Sequence, residues 1–254
     1  MELQEGYVKT DISNAIAAIE FFHPQSNSLP GNILSALAHA IQKAGMDNAV
    51  KIIVLKSKGE KAFCAGASFT ELTAIQNEKQ GIEFFSGFAR VINAMRKCPK
   101  FIIARVQGKC VGGGVGLAAA ADYAIALNGA DIKLSELAVG IGPFVVGPAV
   151  ERKIGAAAFM ALSIDATNWR SSNWAVQQGL FAEQHETVEN LDTAVNTLAG
   201  TLAKSSTQAM AALKKIYWQG AENWDNLLLE RAAISGTLVL SDYSKEAIAK
   251  FKAK

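Results

Sequence analysis

Three short apolar runs constrain this chain more than any other feature: "VKIIVLKS" (50–57), "FIIARV" (101–106) and "YAIAL" (123–127). None alternates polar with apolar residues, as a half-exposed strand would. The first is a continuous β-branched run, and short apolar runs of this kind belong to strands buried on both faces. A helical pattern separates the first two, and strand, helix, strand at this spacing means βαβ units and a parallel sheet. Ahead of them, "GYVKTDISNAIAAIEFF" predicts a hairpin turning at Ser13-Asn14. "NSLPGNILSALAHAIQKAGMD" puts Ile33, Leu34, Leu37 and Ile41 on one helical stripe. One long helix is expected from about Glu71 to Lys97, with Phe85, Phe88, Ile92 and Met95 in register and Pro99 as its stop.

Past residue 148 nearly everything reads as helix: 148–163, 171–178, 187–203, 205–218, 223–238 and 242–252. Ser171 or Ser172 opens the second of these and Gly179 closes it. The expected organisation is an α/β core over 1–200 and a helical C-terminal extension over 201–254. With no low-complexity linker between them, the extension should dock on the core or on a neighbouring subunit.

Composition narrows the function classes. Half of the 254 residues are hydrophobic, enough for a sizeable core. The net charge of +2, with no Lys/Arg cluster interleaved with aromatics, argues against a nucleic-acid partner. Cys64, Cys98 and Cys110 are odd in number and contain no CxxC, so neither a disulfide framework nor a zinc site is expected, and a cytoplasmic setting is. "MELQEGYVKTD" carries no export signal, and no apolar run is long enough to span a membrane, so no membrane partner is expected.

Chemistry is expected where strands end, because ligands of parallel sheets bind outside the carboxyl ends of the strands. Two loops leave such ends: "EKAFCAGASFTEL" (60–72) and "VQGKCVGGGVGL" (106–117). Small residues uncover main-chain N–H groups in both. Each loop also feeds a helix, whose first N–H groups lack partners and carry partial positive charge. Two such termini side by side would make a hole for one developing oxyanion. Gly114, Gly116 and Ala119 also satisfy the G-x-G-x-x-A dinucleotide pattern. The helix expected there, from about Leu117 to Asp122, is too short for a full crossover, and Asn128 and Gly129, not an acid, close the next strand. A ligand-free packing turn is the plainer alternative for the glycines alone; the second loop weighs against it.

"AFCAGASFTEL" and "VQGKCVGGGVGLAAAAD" resemble the two signature loops of the enoyl-CoA hydratase/isomerase (crotonase) superfamily. "HPQSNSL", "LSELAVGIGPF", "SSNWAVQQGLF" and "AIAKFKAK" extend the resemblance over most of the chain. The resemblance implies a crotonase-like α/β spiral of ββα units with a helical C-terminal extension that serves trimerisation, and assembly as a homotrimer or hexamer. It implies an acyl-CoA thioester substrate, with coenzyme A arriving as part of it rather than as a separate cofactor. By position, the oxyanion donors would be the N–H groups of Ala67 and Gly113. Ala65, Gly66, Ser68, Phe69, Thr70, Gly112 and Phe144 would line the substrate site. Phe251 and Lys254 match C-terminal residues that reach a neighbour's CoA in some members, although a solvated basic tail accounts for Lys252 and Lys254 as well.

The acid pattern separates the branches of this family. Hydratases in it resemble one another in holding a water between two glutamates, an acid and a base. Here the first position is Gly116 and the second is Glu136, in "KLSELAVG". One carboxylate suffices to move a proton from C2 to C4 of a 3-enoyl thioester, so the expectation is a Δ3,Δ2-enoyl-CoA isomerase with Glu136 as shuttle. "GIGPF" resembles the isomerase segment more than the glycine-rich hydratase one. The alternatives are a hydratase, or another thioester-enolate enzyme, with a relocated acid such as Glu71 or Glu151, and a non-catalytic acyl-CoA binding protein. Ser68 stands where most members carry Asp, and Thr70 where some carry a CoA-contacting Lys. Asp122 matches a structural position. His23, His39 and His185 have no acid motif beside them, no G-x-S-x-G occurs, and Cys64 reads as packing.

Overall fold

The computed structural model describes residues 6–252, with side chains through residue 250. The side chains of Phe251 and Lys252, and all of 253–254, lie outside the described part. Its centre is a six-stranded sheet. In spatial order it contains β1 (Tyr7–Ser13), β2 (Ile16–Phe22), β3 (Ile52–Ser57), β5 (Phe101–Val106), β7 (Tyr123–Leu127) and β9 (Glu183–His185). Only the β1–β2 hairpin is antiparallel; every other neighbour pair is parallel. A second sheet, in the order β4 (Ala62–Cys64), β6 (Lys109–Val111) and β8 (Ile132–Lys133), is also parallel. In the large sheet β3, β5 and β7 are each followed by a short strand of the small one and then by a helix. The repeated step is ββα, and three of them wind into a spiral.

The three diagnostic runs are β3, β5 and β7. Ile52, Ile53, Leu55, Ile102, Ala104, Ile125 and Ala126 are fully buried, each worth roughly 1.5–3 kcal/mol for the larger side chains. Helix α1 (Gly31–Met46) buries Ile33, Leu34, Leu37 and Ile41, the expected stripe.

Three local readings need correction. The hairpin turns at Asn14-Ala15, one residue later than expected. Both take positive φ (50° and 62°), as a tight turn between twisted strands demands, and Asn14 tolerates that better than Ser13 would. The single helix from Glu71 to Lys97 is two helices, α2 (Phe69–Thr73) and α3 (Glu78–Lys97). Asn77 restarts the chain as an N-cap, its side chain accepting from the Gln80 N–H at 3.0 Å. Helix α4 (Gly113–Ala120) begins four residues before the expected Leu117, so the glycines lie inside its first turn. The small sheet and β9 are not legible in the sequence, because two- and three-residue strands carry no period.

Downstream run α5 (Gly147–Ile164), α6 (Ser172–Gln177), α7 (Val188–Ala203), α8 (Thr207–Tyr217), α9 (Trp224–Leu238) and α10 (Asp242–Lys252). Helix α7 is continuous through residue 200. Helix α9 lies against α3 so closely that a Cβ on Gly81 would meet the Gly236 backbone at 2.8 Å. Helix α8 is tied to the core by Lys214, whose Nζ donates to Asp122 Oδ2 at 2.7 Å and to the Lys100 carbonyl at 2.8 Å. Asp122 Oδ2 also accepts the Ile102 N–H at 2.7 Å, which supports the structural reading of that aspartate.

Candidate active site

A cavity of about 670 Å³ opens where the small sheet meets α2, α3, α4 and α9. Nine of the ten sequence-named site residues line it: Ala65, Gly66, Ala67, Phe69, Thr70, Gly112, Gly113, Glu136 and Phe144. Ser68 does not. It is buried as the N-cap of α2, its Oγ accepting the Glu71 N–H at 3.3 Å, so its side chain is spent on the helix.

The two loops meet through their glycines. Gly66 adopts φ +93°, a region that L side chains avoid, and a Cβ there would lie 3.8 Å from the Gly113 nitrogen. The peptide that carries the Ala67 N–H is therefore placed beside the first turn of α4. Hydrogen bonds run from the Leu29 N–H to the Gly66 carbonyl (2.7 Å) and from the Ser68 N–H to the Leu29 carbonyl (3.0 Å). They hold the chain on either side of Ala67 and leave its own N–H over. Among the described residues, neither the Ala67 N–H nor the Gly113 N–H has an acceptor. Both sit at the cavity wall, and Gly113 stands at a helix N-terminus, where the dipole favours negative charge.

Glu136 lies across from them at the head of a 3₁₀ turn, Glu136–Val139. Its Oε1 would be 2.9 Å from a Cβ on Gly112, whose φ of +52° also favours glycine. The carboxylate thus rests against the backbone that enters the glycine turn. Its Oε2 is inaccessible to solvent and has no hydrogen-bond partner. Burial pushes its carboxyl up to about 7, offset in part by its own backbone N–H. A group held there can give and take a proton near neutrality.

Gly116 has no room for a side chain of its own. A Cβ on it would meet Val146 Cγ1 at 2.5 Å. No acidic side chain other than Glu136 lines the cavity among the described residues. Glu71 accepts the Gly31 N–H at 2.9 Å and so caps α1 instead. Glu151 is exposed on α5. Cys64 is fully buried, and burial pushes its thiol up to about 12, which suits packing and not nucleophilic attack.

Sequence reasoning misses Lys133, Trp169, Phe84 and Ser235, which also line the cavity. Phe85 and Phe88 read in the sequence only as a core stripe. Ser235 reaches the site through the α3–α9 approach, which has no local signature.

The fold and this site define an α/β spiral protein whose cavity gathers two acceptor-free main-chain N–H groups and a single buried carboxyl among the described residues. The chain belongs to the enoyl-CoA hydratase/isomerase family, whose profile matches residues 11–252. It is 27% identical over 249 residues to a Bacillus subtilis protein named probable enoyl-CoA hydratase, covering 96% of this chain and 94% of that one. A rat mitochondrial methylglutaconyl-CoA hydratase is 34% identical over 117 residues, covering 46% of this chain and 37% of that one. Among solved structures, an enoyl-CoA hydratase from Mycobacterium avium matches with TM-score 0.86 at 25% identity, covering 97% and 96% of the two chains. One from Bacillus halodurans matches with TM-score 0.89 at 24% identity, covering 96% and 99%, a likeness of fold. No helix is long and apolar enough to cross a membrane among the described residues.

Proposed function

We propose that this protein is a Δ3,Δ2-enoyl-CoA isomerase. The observation that carries the reading is the lone carboxylate: Glu136 is the single acid on the cavity wall among the described residues, and Val146 fills the space beside Gly116. The thioester oxygen of a 3-enoyl-CoA lies between the Ala67 and Gly113 N–H groups. Ionised Glu136 takes a proton from C2, and the electron pair moves onto that oxygen as a dienolate. The enolate collapses with protonation at C4 by the same carboxyl, leaving the double bond between C2 and C3. No water takes part, so one acid is enough. Removing one donor of such a hole costs about 3–4 kcal/mol in other enzymes.

The hydratase reading draws on the names of the relatives. It needs a second acid, and Glu71 and Glu151 are both placed elsewhere. A binding-only protein would have no use for a buried carboxyl without a partner. The test compares two rates on one preparation: conversion of a 3-enoyl-CoA to its 2-trans isomer, and hydration of crotonyl-CoA. Isomerisation should be the faster; hydration at an equal or greater rate rejects the assignment. Exposed Leu213, Ile216, Leu229 and Ile234 on the C-terminal helices support a homotrimer or hexamer. The three unpaired thiols support a cytoplasmic setting.

A further inference from the structure

We propose that Lys133, with Lys109 and Trp169, forms an anion subsite at the edge of the cavity. It takes a second negative group of the thioester, either a carboxylate on the acyl chain or a phosphate of the CoA. The inference rests on the thioester reading above and adds a recognition element to it.

The backbone of Lys133 is fixed beside the reacting centre. Lys133 pairs with Val111 in the small sheet, and its carbonyl accepts the Gly112 N–H at 2.9 Å. Its side chain lines the cavity together with Trp169. Lys133 Nζ lies 4.5 Å from the centre of the Trp169 ring, and Lys109 Nζ lies 4.6 Å from it. Ammonium groups at that range are held by the ring's quadrupole. The indole therefore draws two cations to one ring, close enough for the charge of Lys109 to be felt by Lys133.

Among the described residues neither ammonium has a hydrogen-bond acceptor or an ion-pair partner; the ring is their shared contact. Arg170, which follows Trp169 in the chain, is already paired with Asp165 at 2.8 Å. The spare positive charge is thus confined to the two lysines. Burial, and then the charge of Lys109, weaken the hold of Lys133 on its proton. Lys133 is half-buried and Lys109 is exposed beside it; two like charges drawn to one ring without a counter-ion are unfavourable alone. An incoming carboxylate or phosphate relieves that and gains charge-assisted hydrogen bonds. Glu136 cannot serve as the counter-ion, because its Oε2 stays unpaired and its burial is not offset by either lysine.

The test is calorimetric binding in a Glu136→Gln background, where turnover does not intrude. The ligands are butyryl-CoA, glutaryl-CoA and butyryl-pantetheine. Lys133→Met keeps the aliphatic stem on Trp169 and removes the charge; Lys133→Arg keeps a charge. Lys133→Met should weaken at least one anion-bearing ligand by about tenfold, and butyryl-pantetheine by no more than about twofold. Loss confined to glutaryl-CoA identifies an acyl carboxylate. Loss shared by both CoA esters, and absent for butyryl-pantetheine, identifies a CoA phosphate. Lys133→Arg should restore most of the affinity. Equal loss on all three ligands, or no loss on any, overturns the subsite. If the Glu136→Gln protein binds none of the three, the thioester reading itself has failed.

Discussion

Val146 occupies the space into which any side chain at Gly116 would project: a Cβ there would lie 2.5 Å from Val146 Cγ1 and 2.8 Å from its Cβ. An acid at residue 116 is therefore excluded by packing as well as by sequence. Gly116→Glu alone should lower stability by about 1–3 kcal/mol through overpacking and gain no hydration. Gly116→Glu with Val146→Gly should recover stability and acquire measurable crotonyl-CoA hydration. Hydration by the single variant would show that Val146 is not the obstacle.

Glu136→Gln should lower isomerisation by about 10²–10⁴-fold while acyl-CoA binding persists. Stopped-flow rates and calorimetry on the same variant separate the two effects. Full activity would place the base elsewhere.

The same carboxyl sets a pH dependence of stability. Its folded value of about 7 lies above the ordinary glutamate value of 4.5, so between those pH values the folded state binds more protons than the unfolded state. Stability from this group is fully present below about pH 4.5 and is lost as pH rises through about 7. The loss should be on the order of 3 kcal/mol. Melting temperatures of wild type and Glu136→Gln between pH 5 and 8 should converge at the acidic end, and the variant should be the more stable at the basic end. Isomerisation should run the opposite way, rising as Glu136 ionises. Parallel stability curves for the two proteins would contradict the burial argument.

Lys214 is 2% exposed in its ion pair with Asp122. Lys214→Met strands a buried carboxylate, and the expected cost is about 3–5 kcal/mol. A urea midpoint shift reads it. Neither residue lines the cavity, so activity per folded molecule should be unchanged.

Two glycines make an internal control. A Cβ on Gly114 would fall 2.2 Å from the Cys64 carbonyl oxygen, a backbone atom that cannot rotate away. Gly114→Ala should force the two loops apart and lower both stability and activity. At Gly200, inside α7, a Cβ would have nothing within 4 Å of it. Gly200→Ala should gain about 0.5–1 kcal/mol from helix propensity. Thermal melts of the pair test this, and a mild effect at Gly114 would mean that the loops are less tightly apposed than the structure places them.

Resemblance to the family's acid pattern singled out Glu136; the chain's local chemistry was enough to specify the buried strands, most helix spans and the two amide-bearing loops. Each of these rests on neighbouring residues: periodicity, caps and glycine density act over a few positions. Three-dimensional packing alone decided that Val146 closes the Gly116 position, that Glu71 caps α1, and that Ser68 turns onto α2. It also brought Ser235 to the cavity through the crossing of Gly81 with Gly236, and gathered Lys109 and Lys133 on Trp169. These contacts join residues far apart in the chain. What decides them is which surfaces the ββα spiral presses together, and no local pattern encodes that.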